Sequence, residues 1–116
     1  MNFTEAVKTC YSKYATFTGR ATRSEYWWFY LFFLLVIFVF GFLGEMSEIF
    51  NFAGVLFMLG TLIPSIAAGV RRLHDTDKSG WWLLIGIVPF IGLLLIYFLA
   101  ISGTPGDNRF GPASTN

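Results

Sequence analysis

Phe50-Asn-Phe-Ala-Gly-Val-Leu-Phe-Met-Leu-Gly-Thr-Leu-Ile-Pro-Ser-Ile-Ala-Ala-Gly-Val70 runs for 21 residues without one Asp, Glu, Lys or Arg. As a helix at about 1.5 Å per residue it is roughly 31 Å long, the thickness of a bilayer's hydrocarbon core of about 30 Å. A stretch of that length with no charge reads as a membrane span. Two others have the same character, Trp27 to Leu43 with 17 residues and Trp81 to Ile101 with 21. The first is short, and it crosses if Tyr26 and Trp28 sit at headgroup depth or the bilayer thins locally. The last is broken by Pro89, but two crossings need about 40 residues, so the proline is expected to kink one crossing. The expected architecture is an all-α integral membrane protein in a single domain, 1–116. It has an amphipathic interfacial helix within 1–18, transmembrane helices at 27–43, 50–70 and 81–101, and a polar tail at 102–116.

Composition agrees with that class. Of 116 residues, 55% are hydrophobic and 13% charged, against about a quarter charged in a soluble domain, and the mean hydropathy is +0.62. A net charge of +1 and a pI near 7.9 exclude the strongly basic balance of a nucleic-acid binder. One Cys and one His build neither a zinc site nor an internal disulfide. Neither a G-x-G-x-x-G nor a Walker A pattern occurs, so nucleotide chemistry has no support and no cofactor is expected.

Lys and Arg set the orientation, because cytoplasmic flanks retain positive charge. Lys8, Lys13, Arg20 and Arg23 precede the first span, and Arg71, Arg72 and Lys78 lie between the second and third. The 44–49 connection has none and carries Glu45 and Glu48, while the tail has only Arg109. Seven against one predicts a cytoplasmic N-terminus and 71–80 loop, with the 44–49 connection and the C-terminal tail outside. The first apolar run begins near residue 26 and no small-residue cleavage site follows it, so it is expected to be retained.

At the N-terminus, Phe3, Ala6, Val7, Cys10, Tyr11 and Tyr14 recur at helical spacing, opposite Glu5, Lys8, Thr9, Ser12 and Lys13. Such a helix lies in the headgroup layer or packs on the protein's own edge. Asn2 with Glu5 resembles a cap, and Thr22 with Glu25 has the capping-box spacing that opens a helix. Two basic, aromatic motifs share one leaflet: Arg20 and Arg23 ahead of Trp27 and Trp28, and Arg71, Arg72, His74 and Asp75 ahead of Trp81 and Trp82. The tryptophans are interfacial anchors. The charged residues are either a cluster, with Glu25 paired to Arg71 or Arg72 and Asp75 to Arg20 or Arg23, or separate anchors on lipid phosphate. A catalytic His74–Asp75 pair is disfavoured, since neighbours in a helix do not face one another and Ser79 is better used as a helix cap.

Within the second span, Thr61, Ser65 and Gly69, with Pro64 and Ala68 beside them, make one side of the helix small, a face for close packing. Gly86, Pro89 and Gly92 offer the same in the third. A transporter reading would use carbonyls freed by Pro64 and Pro89, but the spans hold no ionisable group beyond Tyr97. In the tail, Pro105-Gly106 and Asp107-Asn108 suggest a turn returning Arg109 and Phe110 to the membrane surface.

Phe17-Thr-Gly-Arg-Ala-Thr-Arg-Ser-Glu-Tyr-Trp, Arg71-Arg-Leu-His-Asp with Ser79-Gly-Trp-Trp, and Asn108-Arg-Phe-Gly-Pro occur in that order. In these the chain resembles the domain-of-unknown-function 805 family of small bacterial inner-membrane proteins, which includes YhaH-like and YhaI-like members. Asp77 stands where that family's loop is expected to carry Gly or Asn. The resemblance implies an inner-membrane location and carries over no catalytic residue. The functional expectation is a non-enzymatic component working through membrane lipid, a membrane-protein partner or its own copies, with no nucleic acid. The alternative is an accessory subunit or small oligomeric transporter.

Overall fold

The computed structural model describes residues 2–87 and 89–112. Residues 1, 88 and 113–116, which belong to the expected N-terminal helix, third span and tail, lie outside the described residues. The order is α1 (Phe3–Ser12), α2 (Arg23–Gly44), α3 (Glu48–Asp75), a 3₁₀ segment (Gly80–Ile87) and α4 (Gly92–Ala100). No strand occurs among the described residues.

α1 and α2 start where the caps direct. The Thr22 hydroxyl accepts from the Glu25 N–H at 3.2 Å, as the Asn2 side chain does for Glu5 in α1 at 2.8 Å. α2 has 22 residues and α3 has 28, roughly 33 and 42 Å of helix. Antiparallel and joined by Glu45–Ser47, they are the two helices long and apolar enough to cross a membrane. Phe57 of α3 meets Phe32, Phe33 and Phe40 of α2 at ring-centroid distances of 6.0, 5.9 and 6.4 Å. At its C-terminus α3 closes in a Schellman motif: Lys78 N–H donates to Leu73 O and Asp77 N–H to His74 O, each at 2.9 Å. Asp77 sits at the left-handed position, φ 61°, the place where Gly or Asn is favoured. Gly or Asn, the residues expected there from the resemblance, would fit this position without strain.

α1 packs on the flank of α2 and α3, with Ala6 and Cys10 fully buried. Phe3 meets Trp28, and Tyr11 meets Phe29. Pro64 has no N–H, so the carbonyl of Gly60 loses its donor one turn earlier. The Tyr14 hydroxyl takes that carbonyl, and the Tyr11 and Thr61 hydroxyls bond at 2.9 Å. The small side of α3 is thereby covered: Thr61, Pro64, Ala68 and Gly69 are buried and Ser65 half-buried, with Leu83 of the 3₁₀ segment on Gly69.

The expected third transmembrane helix does not form as one long helix. The segment begins against α3, where a Cβ on Gly80 would meet Val70 at 2.8 Å. It breaks at Pro89 and Phe90, the latter at φ 67°, and returns as α4 to the same end of α3, where Leu99 O accepts from Arg72 Nε at 2.8 Å. Gly86 and Gly92 close the fold on itself, since a Cβ on Gly92 would meet the Gly86 carbonyl at 3.2 Å. A proline without an N–H between two poor helix formers, Gly86 and Gly92, is a turn rather than a kink. The estimate that two full crossings need about 40 residues does not apply to a hairpin that returns halfway. The tail accordingly lies at the α1–α2 connection's end of the molecule, not at the opposite end.

Candidate functional site

The charged residues of the two motifs meet where α2 begins and α3 ends. Arg71 donates through Nη1 to the Glu25 carboxylate, with both side chains buried. Glu25 therefore does not close the capping box in full: Thr22 supplies its half, and the carboxylate is drawn across to α3. Cys10 Sγ approaches the same carboxylate at 3.9 Å, tying α1 to the pair. Burial, followed by the neighbouring Glu25 charge, pushes the Cys10 thiol up to about 12.

Asp75 is the second hub. Its carboxylate accepts from Arg20 Nε at 2.9 Å and from Arg72 Nη1 at 2.7 Å. The remaining donors of the two guanidiniums hold backbone carbonyls of the hairpin and tail. Arg72 serves Leu99 and Ile101, capping the C-terminus of α4, whose last carbonyls have no partner within the helix. Arg20 serves Thr104, Gly106 and Gly111. Trp27 Nε1 donates to Leu99 O at 3.1 Å, and Thr104 N–H to Asp75 O at 2.7 Å. Gly103 packs so closely that an added Cβ would sit on the Asp75 carboxylate.

His74 takes a third role. Its Nδ1 meets the Gly19 carbonyl at 2.9 Å; a carbonyl only accepts, so Nδ1 carries the proton. Phe110 stacks on the ring at 3.9 Å, and Asn108 Nδ2 donates to His74 O at 2.9 Å. Phe110 of the tail thus docks on the protein. The imidazole is oriented by Gly19 and Phe110, while Asp75 is bound to arginines. Ser79 accepts from the Trp81 N–H at 3.3 Å and caps the 3₁₀ segment. This is not the arrangement of a nucleophile with its base.

Arg20, Glu25, Arg71, Arg72, His74 and Asp75 are therefore all buried, brought together as a cluster rather than spread as headgroup anchors. Arg23 is the exposed member. Of the anchors, Trp27 is half-buried against the hairpin, whereas Trp28, Trp81 and Trp82 are exposed. Sequence reasoning missed the tail's part in the site, and its signal was Asn108-Arg-Phe-Gly-Pro itself. It also missed Cys10 on Glu25 and Tyr14 on the Pro64 break. Among the described residues no group of three or more His, Cys, Asp or Glu could hold a metal ion.

Two apolar helices of membrane length, locked at one end by buried arginine–carboxylate pairs, define a small helical membrane protein with a charged internal clamp. The chain belongs to the family described as "Protein of unknown function (DUF805)", whose model matches residues 14–112. It is 44% identical over 105 residues to the inner membrane protein YhaH of Escherichia coli K12, covering 85% of this chain and 87% of that one. It is 42% identical over 100 residues to the inner membrane protein YhaI of the same strain, covering 84% and 85%. The uncharacterized protein YiiR is 29% identical over 124 residues, covering 83% and 84%. No solved structure matches.

Proposed function

We infer that this chain is a non-enzymatic bacterial inner-membrane protein that spans the bilayer with α2 and α3 and acts through contacts with lipid or a membrane-protein partner. The observation that carries the reading is the division of its polar groups. The buried ionic side chains pair with one another, with only Arg71 Nε and Nη2 left without a partner among the described residues, which leaves Lys8, Lys13, Arg23, three exposed tryptophans and long apolar helix faces as the surface offered outward. Such a surface suits the belt between headgroups and hydrocarbon. All eight Lys and Arg lie outside the α2–α3 connection, which carries Glu45 and Glu48, so the clamp end is cytoplasmic by the positive-inside tendency.

Purification in mild detergent, with mass spectrometry of retained lipid and protein, tests the reading. Retained anionic phospholipid or a stoichiometric membrane protein supports it, and loss of the retained species in Arg23→Ala locates the contact. A protein extracted from membranes by alkaline carbonate overturns it. The transporter alternative rests on a cavity of about 230 Å³ between α2 and α3, lined by Tyr26, Phe29, Tyr30, Phe33, Met58, Leu62 and Ser65. A Ser65→Cys homodimer cross-link with Ser65 water-accessible would favour it.

A further inference from the structure

We propose that residues 80–101 form a re-entrant wedge embedded in the acyl chains of the clamp-side leaflet, leaving both ends of the chain on that side of the membrane. The proposal rests on the two-span reading above and adds a second mode of lipid contact to it. The two arms have matching reach. Eight residues of 3₁₀ helix at about 2.0 Å each give roughly 16 Å, and nine of α-helix at about 1.5 Å give roughly 14 Å, each about half of a 30 Å core.

Both feet of the wedge are fixed at the clamp. Gly80 lies on Val70, and the carbonyls of Leu99 and Ile101 are held by Arg72. Starting from Gly80 at Val70, the first arm places Leu83 on Gly69 and shares a cavity of about 430 Å³ with Ile66. It therefore runs from the clamp toward the middle of α3. The segment holds no Asp, Glu, Lys or Arg, and at its tip the apolar side chains are turned outward: Ile87 is 79% exposed and Phe90 87%. Water is a poor solvent for a charge-free surface of this kind, and hydrocarbon a good one. Part of the turn's backbone is satisfied internally, as the bilayer demands. Pro89 has no N–H, and Ile91, Leu93 and Leu94 donate to Pro89, Phe90 and Ile91 carbonyls at 2.8, 3.1 and 3.0 Å. Trp81 and Trp82 at the foot mark headgroup depth, so the tip is the deepest part.

The test uses single-cysteine variants of the full chain on a Cys10→Ala background in sealed vesicles of known orientation. Lys13→Cys marks the N-terminal side, Met46→Cys the α2–α3 connection, Asp107→Cys the tail, and Phe90→Cys or Ile87→Cys the tip. An impermeant maleimide is expected to label Lys13→Cys and Asp107→Cys from one face and Met46→Cys from the other. A polarity-sensitive fluorophore at either tip position is expected to emit blue-shifted and to be quenched more by acyl-chain nitroxides than by headgroup nitroxides. Labelling of Asp107→Cys from the face opposite Lys13→Cys makes the segment a full crossing and overturns the wedge. Water-like emission from both tip variants overturns it too. Labelling of Met46→Cys from the Lys13→Cys face overturns the two-span reading instead, so the two failures are told apart.

Discussion

Replacing Asp75 by Asn is the most informative single perturbation, because one carboxylate compensates two buried arginines. In Asp75→Asn the shape is kept, but Arg20 and Arg72 face each other across a neutral amide that still offers one acceptor. Removing one partner of a buried ion pair typically costs about 3–5 kcal/mol. The backbone carbonyls that keep serving both guanidiniums satisfy their hydrogen bonds and leave the charge uncompensated. At about 4 °C per kcal/mol for a chain of this size, melting in mild detergent falls by roughly 12–20 °C. Trp27 reports the event directly, since its indole N–H bonds Leu99, and limited proteolysis of residues 101–112 reports release of the tail. Asp107→Asn, at an exposed carboxylate, is the control and stays within about 0.5 kcal/mol. Gly103→Ala reaches the same end by sterics, pushing on the Asp75 carboxylate without altering charge. If Asp75→Asn melts within about 2 °C of the parent protein, the clamp does not hold the hairpin and the reasoning fails.

Three further outcomes follow from the same geometry. Arg71→Glu strips Glu25 of its cation and sets two buried carboxylates together, at a cost of about 3–5 kcal/mol; adding Glu25→Arg restores part of the melting temperature, whereas equal loss in single and double variants would deny the pair. Cys10 is fully buried and its thiol is held up to about 12, from an ordinary 9.0. Alkylation at pH 7–8 therefore waits on undocking of α1. Docking is indifferent to this group below pH 9 and weakens as pH rises from 9 toward 12, where the undocked thiol ionises and the docked one does not; rapid alkylation of the native protein at neutral pH would contradict this. Asp77→Gly relieves a left-handed residue at the Schellman closure of α3, a gain of about 0.5–1 kcal/mol read as a small rise in melting temperature. Its lost partner, Arg109, pairs at the exposed surface, where such bonds are worth little.

Charge signs and helix registers made the clamp legible in the sequence. A Glu one turn into α2 and arginines in the last turns of α3 must face each other once two antiparallel helices are joined by a three-residue connection, and the pairs Glu25–Arg71 and Asp75–Arg20 are present. The second carboxylate bond, from Arg72 three residues before Asp75, is an ordinary helical neighbour pair that the cross-helix partners had obscured. The hairpin was not legible, because hydropathy measures how willingly a segment leaves water and says nothing about whether it comes back out on the same side. Trp81 to Ile101 is as apolar and as long as the span in α3. What separates them is the surroundings of each proline. In α3 the carbonyl freed by Pro64 is claimed by Tyr14 from a distant element, and the helix continues. At Pro89 the chain turns between two glycines, and its far end is claimed by Arg72 and Trp27. Tyr14, which rescues the carbonyl freed by Pro64, lies 46 residues from Gly60, and Arg72, which holds the far end of the hairpin, lies 27 and 29 residues from Leu99 and Ile101, so both contacts are beyond any local pattern. The same holds for the tail: in the sequence Asn108 reads as a turn residue and Phe110 as a membrane-surface one, and it is the carbonyl and ring face of His74 that dock them.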